Sequence, residues 1–169
     1  MKNALKNIRY IVYLILIIFV SRSCYHTHEI ASLASMIKGG DADGVSQLIA
    51  AHPDLIECDV LLGDRRMKVT PLSFAAGIGQ YAICSNLIGA GANVNAQDEA
   101  GLTPLHWALN MSYTNVVQLL LQHGADVTIK NCNGKTALDF AYQRTTSSYL
   151  QQLLSEATSK ATNRLVSPK

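Results

Sequence analysis

Charge is scarce in this sequence. Only 15% of its 169 residues are Asp, Glu, Lys or Arg, while 49% are hydrophobic. Such a chain can bury enough apolar surface to fold, which excludes a disordered one. It also lacks the dense basic field that a nucleic-acid binder presents. The formal charge of +2 overstates even what is there, because Lys2, Lys6, Arg9 and Arg22 all lie in the first 23 residues, leaving ten basic against twelve acidic residues, a net −2. No nucleic-acid partner is expected.

The signatures of chemistry are missing too. There is no phosphate loop, dinucleotide fingerprint or nucleophile elbow. The glycine-rich "GGDADG" at 39–44 lacks the preceding strand and the lysine, and its Asp41 and Asp43 read as helix-capping residues. "HTHE" at 26–29 offers two histidines and one acid, short of a closed metal-ligand set. No cofactor and no catalysis are expected. The competing reading, a small metal-binding or enzymatic protein, would have to use Cys24–Glu29. Outside the first 23 residues the only Phe or Trp residues are Phe74, Trp107 and Phe140.

What is present begins with the N-terminus. Lys2, Lys6 and Arg9 precede an unbroken apolar run from Tyr10 to Val20, and small Ser21 and Ser23 stand at −3 and −1 of a cut before Cys24. This is the layout of a secretory leader over 1–23. A run of that length, at about 1.5 Å per helical residue, falls well short of the ~30 Å hydrocarbon core. Cys24 resembles the lipid-modified cysteine of bacterial lipoproteins, although Ser21 and Arg22 depart from that family's pattern. Simple cleavage, lipidation at Cys24 and a retained anchor stay open. Export to a periplasm or cell envelope is the expectation, with membrane attachment through the leader or a lipid as one form of it.

The rest of the chain repeats. "TPLSFA" at 70–75, "TPLHWA" at 103–108 and "TALDFA" at 136–141 are spaced by 33 residues. Leu72, Leu105 and Leu138 align at that offset, as do Ala75, Ala108 and Ala141, and Leu87, Leu120 and Leu153. Thr70, Thr103 and Thr136 stand where a helix N-cap accepts an orphan N–H. Pro71 and Pro104 then occupy the first helical position, where a missing donor costs nothing. Ser73, His106 and Asp139 fall three residues after the cap, where a polar side chain reaches back. Tyr113, Val116, Val117 and Leu120 form an amphipathic stripe on a second helix. Gly91 and Gly124 follow those second helices as C-caps, and turn-rich hairpins join the units.

A unit of this length, opening on Thr-Pro-Leu-His-x-Ala and closing on Gly-Ala-Asp-Val, resembles the ankyrin repeat. The resemblance implies an all-α solenoid of helix-turn-helix units joined by β-hairpin-like loops, with N- and C-terminal capping repeats. The expected layout is a leader over 1–23, a tether over 24–29, a repeat domain over 30–159 (units about 30–63, 64–97, 98–130 and 131–159) and a flexible tail over 160–169. Ile30, Leu33, Ala34 and Ile37, then Val45, Leu48 and Ile49, form the stripes of the N-terminal cap. The polar run after Arg144 suits a C-terminal cap closed against water. The first hairpin carries six extra residues and the cluster Arg65, Arg66 and Lys68. Cys84 takes a core position, and Cys58 and Cys132 lie two units apart, beyond the ~7 Å that a bridge allows.

The resemblance further implies protein binding through a concave face and hairpin fingers. Its usual contact positions fall on Arg66, Met67, Ile78, Glu99, Ala100, Leu102, Asn110, Met111, Lys130, Cys132, Lys135, Gln143 and Arg144. To these the residues themselves add Arg65 and Lys68 of the long finger. The aromatic column Phe74, Trp107 and Phe140 reads first as inter-repeat packing and second as a binding stripe, and the two are compatible. The partner is a protein, in an inhibitory, immunity or supporting role in the envelope, and the chain alone is expected to be a monomer.

Overall fold

In the computed structural model, residues 27–62, 67–144 and 148–166 are described, with Leu62, Met67, 143–144 and 160–166 in backbone only. The elements run α1 (27–39), α2 (Ala42–Ala51), a 3-10 turn (Pro53–Glu57), β1 (Val60–Leu62), β2 (Met67–Val69), α3 (Pro71–Gly77), α4 (Tyr81–Gly89), α5 (Pro104–Asn110), α6 (Thr114–Gln122), α7 (Ala137–Arg144) and α8 (Ser148–Val166). The leader, Cys24 and His26 lie outside the described residues.

Each inner helix starts at its threonine. Thr70 is extended (φ −70°, ψ 156°), and its hydroxyl accepts the Ser73 N–H at 3.2 Å, with Pro71 at the first helical position. Thr136 lacks the following proline and compensates with a reciprocal pair. Its N–H donates to Asp139 Oδ2 at 2.8 Å, and the Asp139 N–H donates to Thr136 Oγ1 at 3.3 Å. Asp41 caps α2, its Oδ1 accepting from the Gly44 N–H at 2.9 Å.

The ends of α1 and of α3 to α6 close in one way. After α4 the Gly91 and Ala92 N–H groups donate to the Ile88 and Leu87 carbonyls, and after α6 those of Gly124 and Ala125 donate to Leu121 and Leu120. That is the Schellman arrangement, which needs a left-handed residue after the cap. After α3 that residue is Gly79 at φ +78°, but after α5 it is Ser112 at φ +59°. Ser112 holds a conformation that costs an L-residue roughly 1–2 kcal/mol.

The inner helices α3, α5 and α7 pack in order, and the outer helices α2, α4 and α6 stack behind them, with α8 against α7. One core runs between the layers. Leu33, Ile37, Val45, Leu55, Leu105, Ala108, Leu120, Ala141, Leu150 and Leu154 are fully buried, and Leu72, Ile83 and Leu87 nearly so. The two stripes read for the N-terminal cap lie in or against this cluster, apart from small, half-buried Ala34. In the last unit, however, Leu138 and Leu153 are only half-buried.

Two boundaries differ from the sequence reading. Residues 27–29 of the supposed tether already belong to α1, and Glu29 Oε1 pairs with His52 Nε2 at 3.2 Å. The tail is helical through Val166, because nothing in "SEATSKATNRLV" breaks α8. Beside its polar run, the last unit exposes Tyr142 at 62% and Tyr149 at 50%. The first hairpin is a true antiparallel ladder pairing Val60 with Val69, Leu61 with Lys68 and Leu62 with Met67. Its period of two buries Val60 and Val69 and turns Leu61 and Lys68 outward. Among the described residues, no helix is long and apolar enough to cross a membrane.

Candidate protein-binding face

The second and third hairpins are built on one template. In the second, Asp98 Oδ1 accepts the N–H groups of Ala100 at 2.9 Å and Leu102 at 2.8 Å. In the third, Asn131 Oδ1 accepts those of Asn133 at 2.9 Å and Lys135 at 3.0 Å. Gly101 and Gly134 both stand at φ +72° and donate to the Asp98 and Asn131 carbonyls. A short polar side chain bonding the backbone two residues on is what fixes such a turn.

The hairpins are also fastened to each other. The Cys132 N–H donates to the Ala100 carbonyl at 2.9 Å, and Gln97 Nε2 donates to Gly101 O at 2.9 Å and Lys130 O at 3.2 Å. The approach is close enough that a Cβ on Gly101 would lie 2.9 Å from the Cys132 nitrogen and 3.0 Å from the Asn131 Cα. Behind the fingers, Asn93 N–H donates to Glu57 Oε1 at 2.6 Å, Asn95 Nδ2 to Gly124 O at 3.2 Å, and Asp126 N–H to Asn95 Oδ1 at 2.8 Å. Side chains of the first and second units thus cross to the next.

The aromatic column lies at the base of the fingers. Trp107 Nε1 donates to Asp98 Oδ2 at 2.9 Å, and its ring lies so close to α3 that a Cβ on Gly77 would be 3.1 Å from Cε3. Phe140 meets His106 edge-on, with ring centroids 5.1 Å apart at 82°. Phe74 packs against the core. All three are half-buried, and Trp107 and Phe140 meet the neighbouring unit. Aromatic rings with an apolar body and a free edge suit an interface.

His106 is fully buried. Its Nδ1 receives the Thr103 N–H at 3.2 Å and lies 2.8 Å from the Thr103 hydroxyl, while Nε2 lies 3.3 Å from the Lys135 carbonyl. The network assigns the proton to Nε2, which donates to Lys135. Burial lowers the pKa of this histidine, against the opposing pull of the Lys135 carbonyl and Asp98. His106 is therefore a neutral strut between two units. Cys84 is buried with its thiol pushed up to about 12 by desolvation, and Cys58, also chiefly by desolvation, to about 11. Neither is a reactive thiolate. Cys132 is exposed at the third finger.

The contact positions read from the sequence divide accordingly. Lys68, Glu99, Met111 and Lys130 are exposed, Met111 at 52%; Ile78, Ala100, Leu102, Asn110 and Lys135 are half-buried. Lys68 Nζ pairs with Asp59 Oδ2 at 3.3 Å between two exposed side chains, which reduces the basic character of the long finger. Arg65 and Arg66 lie outside the described residues, as do the side chains of Met67, Gln143 and Arg144. The structure joins Ala100, Cys132, Lys130 and Lys135 through the backbone of adjoining fingers. The sequence reading did not single out Asp98, Gln97 and Asn95, which hold the fingers in place. Their signal was the Asp98–Asn131 pair at the 33-residue offset.

Among the described residues, no group of three or more His, Cys, Asp or Glu side chains could hold a metal ion. The family described as ankyrin repeats (3 copies) matches residues 31–131 and again 72–164. The chain belongs to the ankyrin-repeat family. No curated protein is matched by the chain. As an ankyrin-repeat protein it is a protein–protein interaction module. Its stacked inner helices and fingers are the surface on which the 33-residue period sets varied side chains in rows, such as Ile78 with Met111 and Glu99 with Cys132.

Proposed function

We propose that this ankyrin-repeat protein is exported and binds a protein partner in the cell envelope through its inner-helix face and fingers, without catalysis of its own. The observation that carries the binding surface is the bonded stack of the second and third fingers over Trp107. A surface so cross-linked loses little freedom on binding, which lowers the entropic cost of association. Met111, half exposed at the end of α5, offers an apolar anchor within it. Export is supported by the leader layout of residues 1–23, and an inhibitory, immunity or supporting role fits a stoichiometric binder placed there.

Cross-linking in the native envelope followed by purification tests the binding. A stoichiometric protein should be retained, and Met111→Glu should weaken the complex at least tenfold while leaving the fold intact. If no protein is retained, or if Met111→Glu and Trp107→Ala both bind as the parent does, the reading fails. Mass spectrometry of the mature N-terminus tests the processing, since a chain that still begins at Met1 would contradict cleavage before Cys24.

A further inference from the structure

The outer helices α2, α4 and α6 begin at corresponding caps, Asp41, Gln80 and Tyr113. In that register Asn86 and Ala90 of α4 stand toward α2 as Leu119 and His123 of α6 stand toward α4. The second of these clefts is filled by its larger side chains. Leu119 is 4% exposed, and His123 Nδ1 lies 2.9 Å from the Leu119 carbonyl. In the first cleft the smaller side chains leave a cavity of about 280 Å³, open to solvent on one side. Its floor is the core itself, at buried Val45, Ile49 and Leu87. Pro53 and Ile56 add a further wall from the 3-10 turn, an element that no later unit repeats among the described residues.

The walls are fixed in advance. Asn86 Nδ2 donates to the Ala42 carbonyl at 3.2 Å and to Ser46 Oγ at 2.8 Å, which ties α4 to α2. Glu57, at the end of the 3-10 turn, accepts the Asn93 N–H at 2.6 Å and so holds that turn to the next unit. None of the residues lining the cavity is charged. With Nδ2 committed, Asn86 Oδ1 has no partner among the described residues.

We propose that this cleft binds a small neutral ligand with an apolar body about the size of two fused rings and one N–H or hydroxyl, which Asn86 Oδ1 accepts at the rim. An apolar cavity of roughly 150 Å³ takes benzene, and this one is nearly twice as large. A charged ligand is the wrong chemistry, because nothing in the lining answers a charge and burying one unpaired is costly. What α6 sets into the second cleft, a leucine beside a polar ring, is the same combination of apolar body and single polar group. A ligand seated in the first cleft touches the capping unit and the next at once, so it stabilises the stack by mass action.

Indole, neutral, two rings wide and carrying one N–H, is the probe. Titrated into the purified full chain and followed by heteronuclear NMR, it should shift the amide signals of Val45, Asn86 and Ala90 saturably. It should also raise the melting temperature with its concentration. Indole carboxylate, the same body with a charge, should bind at least tenfold more weakly. The double substitution Asn86→Leu with Ala90→His copies the second cleft and should weaken indole at least tenfold, with an unchanged circular dichroism spectrum; Ala90→His alone serves if the double variant melts early. No saturable shift up to the solubility of indole, equal binding of the two probes, or equal binding by parent and variants would each overturn the proposal. So would a dimer in sedimentation velocity that the double substitution abolishes, since a second copy would then be what covers the cleft. Partner binding at the inner-helix face uses other residues and is scored separately, so either reading can fail alone.

Discussion

Between Asp98 and Gly101 the chain makes a turn that it makes again between Asn131 and Gly134, with the same bonds and the same glycine φ of +72°. The two copies differ in what lies beyond them. The second hairpin is covered by the backbone of the third, whereas a Cβ at Gly134 would meet nothing within 4 Å. Leucines at matching places differ in the same way, Leu105 fully buried and Leu138 half so. Local sequence decides that a turn or a helix forms, and the neighbouring unit decides how much each residue in it contributes. In a solenoid the stability of a unit is shared with the units beside it.

The comparison can be broken most severely in the core. Leu105→Ala should cost about 2–5 kcal/mol by leaving a cavity between packed units, and Leu138→Ala about half as much. Equal losses in urea denaturation would contradict the difference in burial. Next come the hairpin glycines. Gly134→Ala should cost only the left-handed backbone penalty of about 1–2 kcal/mol. Gly101→Ala should cost about 2–4 kcal/mol, because the new methyl meets backbone that cannot move aside alone.

Acid should sharpen the contrast between the two capping residues. Burial lowers the pKa of His106 from its ordinary 6.5, so the unfolded chain takes up its proton first. The stability contributed by neutral His106 is complete above that value and is lost as the pH falls below it. The Asp139 pKa is lowered from 3.8, chiefly by the Thr136 N–H, so its contribution is lost only as the pH falls below about 3.8. A melting temperature that begins to fall near pH 6 in the parent, but not in His106→Gln, would locate the first loss at this histidine. The smallest effect belongs to the helix ends. Ser112→Gly should raise stability by about 0.5–1 kcal/mol by relieving a left-handed serine. Gly79→Ser, in the same column, should lower it, since its Cβ would lie 2.6 Å from the Tyr113 ring.

The periodic part of this architecture was legible because its causes are local. Threonine and the third residue after it define each inner helix, with proline at the first position of α3 and α5, and the aligned leucines and alanines define the spine. Asp41 as a cap and Cys84 as a core thiol follow from position alone, and both are found there. What was missed depends on contacts between units or on the absence of one. Ser112 reads as an ordinary polar residue until its φ is known. Tyr142 shows what position alone misses, since its column, Ala76–Leu109, is buried while Tyr142 itself is exposed. Lengths of terminal helices are poorly specified where no proline or glycine stops them, which is why α8 outran the expected boundary. The link from Asp98 to Trp107 joins residues nine apart on different elements, and no local pattern announces it.

That link has a practical consequence. The chain contains one tryptophan, and its indole shares a carboxylate with the amides that shape the second finger. Anything that grips the fingertip and tugs on Asp98 will alter the polarity around the indole. The intrinsic emission of this molecule is therefore an optical gauge placed at the root of its recognition surface, readable without a label.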